Sequence, residues 1–250
     1  MKYTFTGETV LVSGAASGIG KATAHLLAAN GLAVLVSDIQ KDAVEKLAQE
    51  IKANGGRAVA HVGDVSRPED SENAVDLAVR EFGALHFAVN NAGVGDGNGP
   101  MGDINLEGWQ RVIDINLNGV AYGLRFQIPA ILAAGGGAIV NMSSILGIVG
   151  EQTAPAYTAA KHGVTGLTRA TALEYSARGV RVNSIHPGYV DTPLLDVFDE
   201  QAHLELIKKH PIGRLGTADE IAHAIAFLLS DGASFITGAS LLADGGYTAL

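Results

Sequence analysis

The sequence predicts a doubly wound α/β domain: one parallel sheet of about seven strands with helices on both faces. Three observations lead there. Short apolar runs recur along the chain: Thr9–Val12, Ala33–Ser37, Arg57–Val62, Leu85–Val89, Ala138–Val140, Val180–Ile185 and Ser240–Leu242. Helical patterns separate them, the alternation that builds a parallel sheet. Residues with ligand chemistry follow one run after another, at the C-terminal strand ends where open α/β sheets bind ligands. No linker or tandem repeat interrupts the series, so a single domain is expected to span residues 1–250.

The first run leads into Ser13-Gly14-Ala15-Ala16-Ser17-Gly18-Ile19-Gly20 and then a helical pattern through Asn30-Gly31. Strand, glycine turn and helix form a dinucleotide-binding entry of the Rossmann type. Glycines let the backbone approach a pyrophosphate, and the helix N-terminus offers free N–H groups and a positive dipole end. The candidate cofactor contacts here are Gly14, Ser17, Gly18, Ile19 and Gly20. A phosphate-hydrolysing P-loop would need Gly at position 15 and Ser or Thr at position 22, where the chain has Ala15 and Ala22. An ordinary tight turn is the plainer reading of the glycines alone.

The second run ends at Asp38, 18 residues after Gly20, where a carboxylate can accept from both ribose hydroxyls of an adenosine. It would repel a 2′-phosphate. Ile39 and Gln40 follow rather than an arginine, which favours NAD over NADP. A solvated strand-end aspartate is the bland alternative. Lys41 to Asn54 reads as a helix closed by Gly55-Gly56. The third run ends at Gly63-Asp64-Val65; Asp64 can meet the adenine amino group and Val65 can pack on the ring. Pro68 opens a helix to Phe82-Gly83. Asn90-Asn91-Ala92-Gly93 follows the fourth run, with small residues where backbone must pass close to a ligand.

Leu106 to about Ala134 reads as one mostly helical stretch holding Asn116, a mediocre helix former at mid-helix. The fifth run leads to Asn141-Met142-Ser143-Ser144. Pro155 to Ala177 is helical and carries Tyr157 and Lys161, four apart and therefore on one face. A phenol of pKa about 10 is a poor base near neutral pH, and a fixed cation beside it lowers that value. Tyr157 can then exchange a proton with an alcohol or a forming alkoxide, and Ser144 can bond the same oxygen. Tyr-x-x-x-Lys alone also describes many half-exposed helical pairs. His186-Pro187-Gly188 ends the sixth run, Asp191 to His210 is a polar candidate lid, and Thr217 opens a last helix through Leu229.

Composition narrows the partners. The chain has 250 residues, 47% hydrophobic, enough for a large core. Its formal charge of −9, with no cluster of five basic residues, argues against nucleic acid. There is no cysteine, which excludes disulfide and thiol chemistry and fits a reducing compartment, the cytoplasm. No metal site is expected, since no His-x-x-x-His or His-Glu-x-x-His pair occurs among the eight histidines. His162, beside Lys161, points to another helix face. The N-terminus lacks a signal-peptide run, and the uncharged stretch Phe126 to Gly150 is broken by Pro129 and Gly135-Gly136-Gly137, so no membrane span is expected.

Taken together, these motifs resemble the short-chain dehydrogenase/reductase family over nearly the whole chain. The family's Thr-Gly-x-x-x-Gly-x-Gly falls on Ser13 to Gly20, with Ser in place of Thr, and its Asn-Asn-Ala-Gly on Asn90 to Gly93. Its catalytic Asn, Ser, Tyr and Lys fall on Asn116, Ser144, Tyr157 and Lys161, and its Pro-Gly on Pro187-Gly188. The resemblance implies that Asn91, Ala92, Gly93, Pro187, Gly188 and Val190 line the cofactor and that Thr192 holds the nicotinamide amide. It implies hydride transfer between NAD(H) and a carbonyl carbon, with Tyr157 as acid or base and Ser144 on the substrate oxygen. Lys161 would lower the Tyr157 pKa and bond the nicotinamide ribose; Asn116 would hold a water linking Lys161 to solvent. It also implies a homotetramer, with the helix from Pro155 and the final helix and strand at the interfaces. Asn91–Gly95, Val140–Gly147 and Asp244–Ala249 are most similar to NADH-dependent secondary-alcohol dehydrogenases, also called carbonyl reductases.

The expected substrate walls flank the catalytic set: Ile145, Leu146, Val149, Gln152, Tyr189, Leu194, Leu195 and Phe198. None is a lysine or arginine, so a buried substrate carboxylate or phosphate would lack a cationic partner, and the ketone or alcohol is expected to be neutral. Rival readings are a 3-oxoacyl carrier-protein reductase, a dehydrogenase of cyclic diols or steroids and, outside enzymes, a nucleotide-sensing scaffold on the same fold.

Overall fold

The computed structural model describes residues 2–95, 99–196 and 199–249. Nine strands occur among them: β1 (Thr9–Ser13), β2 (Ala33–Asp38), β3 (Arg57–Val62), β4 (Phe87–Asn90), β5 (Gly137–Met142), β6 (Val180–Pro187), β7 (Val190–Asp191), β8 (Gly216–Thr217) and β9 (Ser240–Ala243). The helices are α1 (Gly18–Ala29), α2 (Lys41–Ala53), α3 (Pro68–Phe82), α4 (Leu106–Ile113), α5 (Gly119–Ala133), α6 (Pro155–Tyr175), α7 (Glu200–Lys208) and α8 (Ala218–Leu229).

Seven strands form one parallel sheet in the order β3-β2-β1-β4-β5-β6-β9. Side chains alternate across each strand, so both faces must be apolar and covered. Val10, Val12, Val34, Val36 and Val140 pack toward α1, α2 and α8 through Leu27, Leu47, Ile51 and Ile225. Leu11, Leu35, Ala88 and Ile139 pack toward α3, α5 and α6 through Val75, Leu124, Ile131 and Val164. Each such side chain, fully buried, is worth roughly 1.5–3 kcal/mol.

The strand order reverses between β1 and β4, because β3 lies at the far edge and the chain must cross back over β1 to place β4. Such a switch point leaves a crevice at the carboxyl ends of the strands. Asn91 closes its floor: its side-chain amide donates to the carbonyls of Ser13 and Gly14, both at 3.0 Å. Ser13 Oγ, standing where the family has threonine, accepts from the Asn91 backbone N–H at 3.1 Å.

Some boundaries differ from the sequence reading. β4 starts at Phe87, since the preceding His86 turns aside to meet Thr9 Oγ1 through its Nδ1 at 2.8 Å. β6 runs on through His186 and Pro187 to pair with β9. The helix expected over Leu106 to Ala134 is interrupted by a π-helical turn, Asp114–Asn118, between α4 and α5. The short parallel pair β7–β8 was not expected, because two residues carry no periodicity. The candidate lid 191–210 contains a short 3-10 turn, Pro193–Leu195, and α7, capped by Asp199 on Ala202 N. Phe198 lies outside the described residues. No helix among the described residues is long and apolar enough to cross a membrane.

Candidate active site

The glycine turn is built for close approach. Gly14 has φ 63°, and a Cβ there would lie 2.7 Å from Ala92 Cα. A Cβ on Gly20 would collide with the Gly14 carbonyl. At the start of α1, Ser17 makes no side-chain capping bond and the first turn carries no acid. That N-terminus therefore keeps its dipole and its N–H groups for an anion such as a pyrophosphate. Asp38 is fixed beside it: Oδ2 accepts from Ala16 N at 2.9 Å and Oδ1 from Gln40 N at 3.0 Å. Each carboxylate oxygen has a further lone pair for a ribose hydroxyl. Ile39, 66% exposed, is an apolar side chain left uncovered beside it. Asp64 orders its own turn, with Oδ1 accepting from Ser66 N and Oγ. Val65 packs against Gly119, where a Cβ would approach its Cγ2 to 3.0 Å.

Across the crevice, Thr192 lies against Gly18: a Cβ on that glycine would sit 3.3 Å from the threonine side chain. Thr192 Oγ1 donates to the Val190 carbonyl at 3.3 Å. Gly188 admits no side chain either, since a Cβ would meet His210 Nε2 at 2.6 Å. Leu194 approaches Gly95. The Pro193–Leu195 turn thus sits over the same crevice as the glycine turn.

Of the four residues expected to be catalytic, Ser144 follows β5, Tyr157 and Lys161 lie on α6, and Asn116 sits in the π-helical turn between α4 and α5. Lys161 is buried, 2% exposed, and its Nζ donates to the Met142 carbonyl at 2.8 Å. That ammonium lies 5.4 Å from the Tyr157 ring centre. Ser144 stands close enough to the Tyr157 phenol to pull its pKa down, and Ser144 Oγ accepts from Leu146 N at 3.2 Å. A Cβ on Gly93 would approach Asn116 Oδ1 at 3.2 Å and Lys161 Nζ at 3.7 Å, so Gly93 opens the space in front of the lysine.

Electrostatics correct one expectation. Lys161 was expected to lower the Tyr157 pKa. Instead burial dominates both groups: it pushes the Tyr157 phenol up to about 12, against a smaller downward pull from Ser144. It pushes the Lys161 ammonium down to about 8. Desolvation disfavours the charged form of each, and the ammonium is turned toward the Met142 carbonyl rather than the phenol oxygen.

Asn116 is fully buried and neither exposed nor locally bonded. Its amide donates to the Val94 carbonyl and accepts from Val94 N, both at 2.8 Å. This side chain therefore ties the π-turn to the loop after β4. Among the expected substrate walls, Ile145 and Leu146 are buried, Leu195 is buried and Leu194 is half-exposed. Gln152 is exposed in the turn before α6. Tyr189 faces the aromatic rings of His210 and Tyr247.

The sequence reading missed a cluster on the Tyr189 side of that wall. Glu151 Oε2 accepts from Tyr189 Oη at 3.3 Å, Tyr247 Oη at 3.2 Å and Lys209 Nζ at 3.1 Å. The expectation that no cation stands near the walls is therefore corrected: Lys209, at the end of α7, lies 5.9 Å from the Tyr189 ring centre. These four residues are up to 96 positions apart, so no local motif marks them. Buried His210 accepts from Tyr189 N at Nε2, which fixes Nδ1 as the donor to the Leu206 carbonyl.

The family described as enoyl-(acyl carrier protein) reductase matches residues 14–248. The cyclohexanol dehydrogenase of Acinetobacter sp. (strain SE19) is 53% identical over 248 residues, covering 99% of this chain and 98% of that protein. The chain is a short-chain dehydrogenase/reductase. As a member of this family it is an oxidoreductase acting on CH–OH groups. It is also similar to the cis-4-hydroxycyclohexanecarboxylate dehydrogenase of Sinomonas cyclohexanicum, at 44% identity over the full length of both chains. Its fold matches a crystal structure of a short-chain type dehydrogenase/reductase from Mycobacterium marinum with a TM-score of 0.94. That match has 34% identity and covers 99% of this chain and 98% of the other.

Proposed function

We propose that this short-chain dehydrogenase/reductase interconverts neutral, alicyclic secondary alcohols and ketones with NAD(H), and that it works as a homotetramer in the cytoplasm. The observation that carries the reading is the convergence of Ser144, Tyr157 and Lys161 beside Gly93, at the mouth of a crevice that the glycine turn and Asp38 line. The resemblance in sequence to a cyclohexanol dehydrogenase supports an alicyclic substrate.

The residues fit a dinucleotide. The turn Gly14 to Gly20 and the open start of α1 would hold the pyrophosphate, and Asp38 the adenosine ribose. Asp64, Val65 and Ile39 would flank the adenine. Asn91, Ala92 and Gly93, with Pro187, Gly188, Val190 and Thr192, would line the nicotinamide half. Two backbone N–H groups fix the Asp38 carboxylate, which would repel a 2′-phosphate on the adenosine ribose, and this favours NAD over NADP. NAD(H), when bound, supplies or takes the hydride.

The chain supplies position and a proton path. Ser144 Oγ holds the substrate oxygen. Tyr157 Oη gives that oxygen a proton in reduction and takes it in oxidation. Lys161 Nζ, in front of Gly93, would hold the nicotinamide ribose, and Asn116 keeps the Val94 loop in place beside it. Burial alone leaves the phenol protonated, so reduction starts from the form already favoured. Oxidation requires the phenol to lose its proton first, which burial opposes.

The test is initial rates with cyclohexanone and with a 2-keto acid of similar size, each with NADH and with NADPH. The expected result is a kcat/KM preference for cyclohexanone and for NADH. A preference for the keto acid or for NADPH would overturn the corresponding half of the proposal.

A further inference from the structure

We propose that Glu151 plugs a ready-made carboxylate site in the wall of the substrate pocket, and that its presence determines the selection against anionic substrates. The inference rests on the neutral-substrate reading above and supplies its physical cause.

Three donors from separate segments converge on one oxygen of Glu151. Tyr189 follows β6, Lys209 ends α7, and Tyr247 lies near the C-terminus. Two hydroxyls and an ammonium around one oxygen are the chemistry that recognises a carboxylate. Here the carboxylate is the chain's own. Among the described residues no donor reaches Oε1, so one side of the carboxyl group carries the whole contact.

The donors have supports besides Glu151. Tyr189 is packed edge-on against His210 and Tyr247 and bonded to His210 through its backbone. The Lys209 ammonium is also held over the Tyr189 ring. Truncating Glu151 would therefore leave the three donors in place and free. The site belongs to the substrate region: Glu151 lies in the loop between Ser144 and Tyr157, and Tyr189 follows Gly188 at the mouth of the crevice.

The experiment titrates the protein in the presence of NADH with cyclohexanecarboxylate and, as a neutral isostere, cyclohexanecarboxamide, by isothermal titration calorimetry. Glu151→Ala should tighten carboxylate binding by about fivefold, the upper range for a part-exposed ion pair, and leave the carboxamide within twofold. Adding Lys209→Gln should remove the gain. Lys209→Gln alone, which leaves Glu151 without its cation, should weaken the carboxylate further. An unchanged carboxylate affinity in Glu151→Ala would overturn the proposal, as would a gain that survives Lys209→Gln or a Lys209→Gln single variant that binds carboxylate better. The measurement reads binding and not turnover. A wild-type protein that fails to reduce neutral ketones would overturn the proposed function while this titration still returned its own answer.

Discussion

At Tyr157 two effects oppose each other. The contact with Ser144 favours phenolate, burial favours the phenol, and burial prevails at about 12. Its hydroxyl is the proposed proton donor and acceptor beside Ser144. Tyr157→Phe removes only that oxygen. It is expected to cut kcat by about 10²–10⁴-fold, the usual contribution of a general acid–base group, while NADH binding measured by fluorescence is retained. Near-normal turnover would refute the assignment. Thr153, four residues earlier, holds φ 63°, a left-handed conformation that a β-branched residue adopts at a cost. Its carbonyl accepts from Gly99 N at 2.7 Å, which joins the loop before α6 to the loop after β4. Thr153→Gly keeps that backbone bond and relieves the strain. A gain of about 0.5–1 kcal/mol is expected in urea unfolding, after the extra backbone entropy of glycine is deducted.

Among the elements, α8 has the most complete start. Thr217 Oγ1 accepts from Glu220 N, and the Glu220 side chain accepts in return from Thr217 N. Arg214 adds two bonds to the same carboxylate, at 2.9 and 2.7 Å. These contacts, the Arg214 hydrogen bond foremost, hold Glu220 down to about 2. A depressed carboxylate contributes stability that is present above its unfolded value of 4.5 and lost as pH falls toward about 2. Thr217→Ala is expected to cost about 1 kcal/mol at pH 7 by chemical denaturation. Glu220→Gln should flatten the acid limb of the stability curve between pH 4.5 and 2. An acid limb identical to wild type would show that the pair contributes nothing there.

For the molecule as a whole, the exposed apolar groups matter most. Phe235 is fully exposed between α8 and β9, and Leu173 on α6 is 87% exposed. Both lie in or next to the elements expected at subunit interfaces, and large apolar side chains left in water mark such surfaces. Light scattering at micromolar concentration is expected to give the mass of a tetramer, and Phe235→Asp to shift it toward smaller species. A monomer in the wild type would sink the assembly reading.

Much of this protein was legible in one dimension because its signals are local. Strands β1 to β3 show as apolar runs, each leading to a candidate cofactor residue, and the turn Ser13 to Gly20 has glycine at its two positive-φ positions, Gly14 and Gly18. Tyr157 and Lys161 share a face because a helix has 3.6 residues per turn. The sequence by itself thus determined the layered fold and the family, and it named Asn116, Ser144, Tyr157 and Lys161 as the candidate catalytic set. The tertiary structure decided what those residues experience. Packing around α6 reversed the expected shift of Tyr157, since desolvation is a sum over neighbours from many segments. The π-turn buried Asn116 against Val94, a partner 22 positions away. Glu151, Tyr189, Lys209 and Tyr247 meet only because β6, α7 and the C-terminal segment end at one point, and no spacing in the chain encodes that meeting.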